Sequence, residues 1–152
     1  MPKEFNENGV RFLYPENWRL EKHPALDGLV CALTLEAPSG ALWTLNVEEG
    51  LRDTVEVAES VRKTLCEEYD ETEAEPYQGK WGDLESQGFE LHFYVIEMVA
   101  RALIECVQFK NRTYLVMTQA EVRDYDELAP VFEALCASLV GKEAEADESS
   151  SS

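Results

Sequence analysis

The residues best placed to do chemistry are Glu90, His92 and Tyr94, polar side chains at alternate positions of one largely apolar run. In a β-strand that spacing puts all three on one face. Carboxylate, imidazole and phenol side by side are the raw material of general acid–base catalysis or of a metal site. Arg101 and Glu105 are four apart in the next apolar run and share a face there, within reach of Glu90 or His92 if the strands pair. The candidate polar cleft is therefore His92, Tyr94, Arg101 and Glu105. Tyr77 and Trp81, the latter flanked by Gly79 and Gly82, form a second candidate set, an aromatic interface on a loop or short edge strand.

Each set has a plainer reading. Metal ligation takes three or four converging donors, and only His92 and Glu90 have a geometric warrant, so no metal is assigned. An ordinary hydrogen-bonded strand face with a cross-strand ion pair explains the polar set, and loop-to-core packing explains Trp81. His23, beside Pro24, reads as a solvated turn residue. Nucleophilic chemistry fails on spacing: Ser60, Ser86 and Ser138 stand in no Gly-x-Ser-x-Gly elbow and have no nearby histidine. Gly79 and Gly82 are isolated and no Lys-Ser/Thr pair follows them, so neither a phosphate-cradling loop nor a dinucleotide fingerprint is present, and no cofactor is expected. The acidic run at 67–73 lacks the central glycine of a calcium loop.

Thirty-one acidic residues against 13 basic give a formal charge of −18. Such a surface repels phosphate, which excludes nucleic acid and disfavours anionic membranes. No run approaches the roughly 20 apolar residues of a membrane span, and the first residues carry no secretory signal. Cys31, Cys66, Cys106 and Cys136 are scattered through apolar patterns and read as buried thiols of a reducing compartment, so the protein is expected in the cytoplasm.

The elements that must hold these side chains follow from periodicity. Residues 10–14 alternate as a strand that Pro15 ends, and the chain restarts at Trp18 in a second strand. The first of these is expected to open the sheet. Residues 29–35 are apolar on both faces, which predicts a central strand covered from both sides. Trp43, Leu45 and Val47 continue an antiparallel meander. Asp53 caps a helix to about Tyr69 with Val57, Val61 and Leu65 as its stripe. Phe89, Leu91 and Phe93 alternate next, residues 100–109 follow, and Asn111 turns the chain into a hairpin with 113–119. A last helix is capped by Asp124 or, better, Asp126, because Pro130 belongs in a first turn. The expected fold is α+β, an antiparallel β-sheet sandwiched by helices (α/β/α), over residues 1–141, with 142–152 a disordered acidic, Ser-rich tail.

The run Gly9-Val10-Arg11-Phe12-Leu13-Tyr14-Pro15-Glu16-Asn17-Trp18 resembles the opening strand and Pro-x-x-Trp turn of the PsbP-like superfamily. The strand Tyr114-Leu115-Val116-Met117-Thr118 and the closing helix with Phe132 and Ala137-Ser138-Leu139 are similar to that family's too. The family includes an extrinsic photosystem II subunit, a Ran-binding nuclear import factor, the DcrB-like lipoproteins and the Eag chaperones. The resemblance implies a helix-sandwiched antiparallel sheet and no shared catalytic residues. The expected function is a non-enzymatic binding or adaptor protein, chaperone-like in one version, acting through protein–protein contacts and open to homodimerisation. The alternative is a small-molecule-binding or hydrolytic protein with a polar cleft around His92.

Overall fold

The structure, a computed structural model, describes residues 1–24 and 28–141. The expected turn at 24–28 and the acidic tail fall wholly or partly outside them. Seven antiparallel strands form the main sheet: β3 (Arg19–Lys22), β4 (Leu29–Glu36), β5 (Leu42–Glu49), β6 (Glu73–Trp81), β7 (Leu84–Val95), β8 (Met98–Phe109) and β9 (Arg112–Glu121). Their spatial order is β3-β4-β5-β9-β8-β7-β6. Helix α1 (Thr54–Glu68) crosses from the first half of the sheet to the second, and α2 (Val122–Leu139) closes the chain.

Each face of the sheet has its own core. On one, Ala58 of α1 packs with Leu91, Phe93, Ala102 and Ile104 of β7 and β8. On the other, Trp43, Leu45 and Val116 pack with Phe132 and Leu135 of α2. The two helices therefore sandwich the sheet, as the sequence predicts. Asp53 caps α1, its carboxylate accepting from the N–H groups of Val55 and Glu56 at 2.9 and 3.2 Å. Lys110 and Asn111 take φ of 51° and 64° in the β8–β9 turn, the left-handed geometry a two-residue hairpin requires.

Three expectations are corrected. The strand at residues 10–14, β2 (Val10–Tyr14), does not open the main sheet; it pairs only with β1 (Lys3–Glu7) in a separate hairpin. Asn8 and Gly9 turn that hairpin at φ 53° and 81°. It lies over the α2 face, with Phe12 tilted onto Trp43 at 5.2 Å and the Leu13 N–H donating to the Ser138 hydroxyl at 2.8 Å. Strand β4 is second from the edge rather than central. Its Cys31, Leu33 and Leu35 are buried on one face; on the other Ala32 is buried, while Thr34 is half-exposed and meets Thr44 at 3.5 Å. Helix α2 starts at Val122, four residues before the preferred cap, and Pro130 lies inside it. Pro130 is on the exposed side of the helix, where water can take the Asp126 carbonyl that loses its partner, so tertiary packing overrides the local preference.

Gly88 is a fixed point of the sheet. A Cβ built there would lie 1.6 Å from the backbone oxygen of Ile104 on the neighbouring strand. Only glycine lets β7 and β8 approach so closely beside Tyr77.

Candidate functional site

Alternation along β8 sends Arg101, Leu103 and Glu105 to the α2 face, while Ala100, Ala102 and Ile104 face α1. On the edge strand β6, Tyr77 and Trp81 point to the same side as Glu105. Helix α2 lies over these strands with Tyr125, Ala129, Phe132 and Cys136 along one stripe at helical spacing. Sheet and helix enclose a cleft of about 340 Å³ between them.

Glu105 lies in that cleft at 7% exposure. The Trp81 indole N–H donates to one carboxylate oxygen, and this is the one hydrogen bond the carboxyl makes among the described residues. Burial pushes the Glu105 carboxyl up to about 7, the indole contact works against that rise, and the Glu133 carboxylate on α2 adds to it. Burial also raises the phenols of Tyr77 and Tyr125, the latter to about 12. The Tyr125 hydroxyl is 2.8 Å from the Thr118 hydroxyl.

Arg101 is held on several sides. Its guanidinium lies 4.3 Å from the centre of the Tyr125 ring, 2.9 Å from Glu90 and 3.7 Å from Asp126. Its buried Nε has no hydrogen-bond partner among the described residues. The cross-strand Glu90 pair is therefore one the sequence anticipates.

The four residues of the polar set share a face but do not converge. Arg101 and Glu105 line the cleft; His92 and Tyr94 do not. His92 stands opposite Arg101 in register, half-buried, and Tyr94 is 59% exposed two residues further out. The cause is where α2 begins. Glu121 pairs with Ala100, so the helix starts beside that level and covers only the inner part of β8. Trp81 is a correction: it is fully buried and lines the cleft, so it cannot anchor a surface contact. Tyr77 lines the same cleft and is half-buried. Sequence reasoning missed Tyr125 as a cleft residue, because a helix begun at Asp126 leaves Tyr125 outside it. The spacing of Tyr125, Ala129, Phe132 and Cys136 carries the signal that would have found it.

A second feature lies beyond the start of α2. The tip of the β7–β8 hairpin exposes Tyr94, Ile96, Met98 and Val99, and Ile96 is 93% exposed. Ile96 begins the two-residue turn at φ 57°, a conformation that strains a β-branched side chain. Among the described residues no group of three or more His, Cys, Asp or Glu side chains is arranged to hold a metal ion.

No protein-family model and no curated protein sequence matches the chain. Solved structures do. The cyanobacterial PsbP protein (CyanoP) of Synechocystis matches with a TM-score of 0.64 at 13% identity, over 90% of each chain. A Bacteroides thetaiotaomicron protein matches at 0.59 and 14% identity, over 90% of this chain and 47% of its own. A mutant of the protein Mog1 matches at 0.50 and 8% identity, over 90% and 87%. The chain has the PsbP-like fold: an antiparallel sheet with two helices. At these identities the likeness shows the fold and carries no activity with it.

Proposed function

We propose that this chain is a non-enzymatic binding or adaptor protein that works through protein–protein contacts, with the β7–β8 hairpin tip as its contact surface. The observation that carries the reading is Ile96. A large apolar side chain is held almost fully in solvent at a positive φ, where glycine or asparagine is the unstrained choice, and Tyr94, Met98 and Val99 extend it into a patch. Nothing inside the fold gains from that arrangement. The partner is a protein with an apolar depression fringed by lysine or arginine, because the tip sits on a chain of net charge −18. A second copy would have to bring two acidic surfaces together, which weighs against a homodimer.

A chaperone for hydrophobic segments is less well supported. It needs an uncovered apolar sheet face, and the β4–β5 surface opposite the α2 core presents Thr34, Thr44 and Asn46. The four cysteines form no disulfide, which fits the reducing cytoplasm, and no helix among the described residues is long and apolar enough to cross a membrane. The test is co-purification of the tagged full chain with and without Ile96→Asp plus Met98→Glu. A near-stoichiometric partner that the double variant loses, with its circular dichroism unchanged, is the expected result. Retention of the partner by the double variant contradicts the reading.

A second reading, small-molecule binding, is favoured by one observation: Arg101 and Glu105 do line a common cleft. It moves the site from around His92 to beneath α2. It predicts that a small ligand protects the Trp81 indole from solvent exchange.

A further inference from the structure

The cleft beneath α2 contains a carboxyl that the chain surrounds without neutralising. Arg101 is on the same strand face, but its two terminal nitrogens face Glu90 and Asp126 and its plane the Tyr125 ring, leaving only Nε without a partner among the described residues. Lys80, which also lines the cleft, is exposed and makes no ion pair among the described residues. The groups that act on Glu105 are the Trp81 indole and the Glu133 carboxylate, and the second of these is repulsive. One carboxyl oxygen receives the indole N–H; the other has no hydrogen-bond partner among the described residues, although Glu105 is more than nine-tenths buried.

Burying a carboxylate without a counter-charge is costly, and a glutamine would accept the Trp81 bond equally well. The acid earns nothing for the fold. What it does supply, above about pH 7, is a negative charge in a space lined by the half-buried Tyr77 ring. An accessible tyrosine ring beside a carboxylate attracts an organic cation, through the ring face and through charge pairing together. Glu133 on the helix side biases the field the same way. The volume, about 340 Å³, is at the small end of ligand pockets and suits a cationic head on a short alkyl stem.

We propose that this cleft binds an alkylammonium or guanidinium group, which pairs with Glu105 while its stem lies against the half-buried ring of Tyr77. The proposal rests on the second reading above, that the cleft is a ligand site, and adds the ligand's chemistry. The cation can arrive on a free amine or on a lysine or arginine side chain of a peptide.

The test is titration of the full chain at pH 8, followed by calorimetry and by the Trp81 indole N–H resonance. The probes are butylammonium, butylguanidinium, a blocked arginine tripeptide, butyrate and 1-butanol. One of the cations should bind and shift the Trp81 signal, and Glu105→Gln should weaken it at least tenfold. Glu133→Lys, at an exposed helix position, should weaken it without disturbing the core. Tighter binding of the tripeptide than of the free cations assigns the site to a basic side chain; the reverse assigns it to a small amine. If butyrate or 1-butanol binds and the cations do not, the ligand assignment fails while the ligand-site reading stands. If no probe binds, both fail. Cation binding that Glu105→Gln leaves unchanged also overturns the assignment.

Discussion

Burial holds the Glu105 carboxyl at about 7 in the folded chain, against an ordinary value of 4.5 when it is solvated. The folded protein therefore binds a proton more tightly than the unfolded one. The resulting stability is fully present below about 4.5 and is lost as pH rises through about 7. At pH 8 the penalty is roughly 3 kcal/mol, an upper figure for a group that water can partly reach through the cleft. Glu105→Gln should remove it: urea unfolding should show the variant more stable than wild type at pH 8 and nearly equal at pH 4.5. A pH-independent difference would mean that the carboxyl is not strained by burial. Ile96 makes the complementary case. Ile96→Gly relieves the positive φ, so the variant should hold or gain stability, by up to about 1 kcal/mol, while losing the apolar contact. Glu105 and Arg101 were legible in the sequence because strand alternation alone puts them on one face. The strain at Ile96 was not, since nothing in the residue type announces a left-handed turn, and the usual Asn-Gly marker is absent there.

At the scale of elements, Gly88 sets how tightly β7 and β8 pack beside the cleft. With the Ile104 carbonyl 1.6 Å from where a Cβ would stand, Gly88→Ala must move backbone. The expected cost is above about 2 kcal/mol, visible as a lower urea midpoint and a displaced Trp81 signal. Local sequence fixes the geometry wherever one residue decides it: Asp53 at the start of α1, Asn111 in the β8–β9 turn, Pro15 after β2. Two misreadings have physical causes. Asn8-Gly9 is a strong hairpin marker, yet Lys3–Glu7 contributes only Phe5 to the core, so its strand lacks an apolar alternation to find. Pro130 suggested a helix start, but a proline on a solvent-facing side leaves its orphaned carbonyl to water, and the buried Tyr125 turn before it holds the helix in place. Strand order was beyond reach, because β9 inserts between β5 and β8 through long-range pairing that no local pattern encodes.

For the whole molecule the dominant property is a charge of −18 on a small sheet-and-helix fold. Self-repulsion opposes compaction, and salt screens it, with a Debye length falling from about 30 Å at 0.01 M to about 8 Å at 0.15 M. The melting temperature should therefore rise over that range, whereas association with a basic partner should slow. Opposite responses to the same salt separate the two effects. The architecture itself was readable from the order of features, and the likeness to CyanoP bears on that architecture alone. The central claim, that the hairpin tip is a protein contact surface, is tested most directly by placing a photo-crosslinking amino acid at position 96 in living cells. A control carries it at Glu67, exposed on α1. The account predicts a discrete adduct with another protein from position 96, absent from position 67 and abolished by Met98→Glu. No adduct from position 96, or the same adducts from both positions, would contradict it.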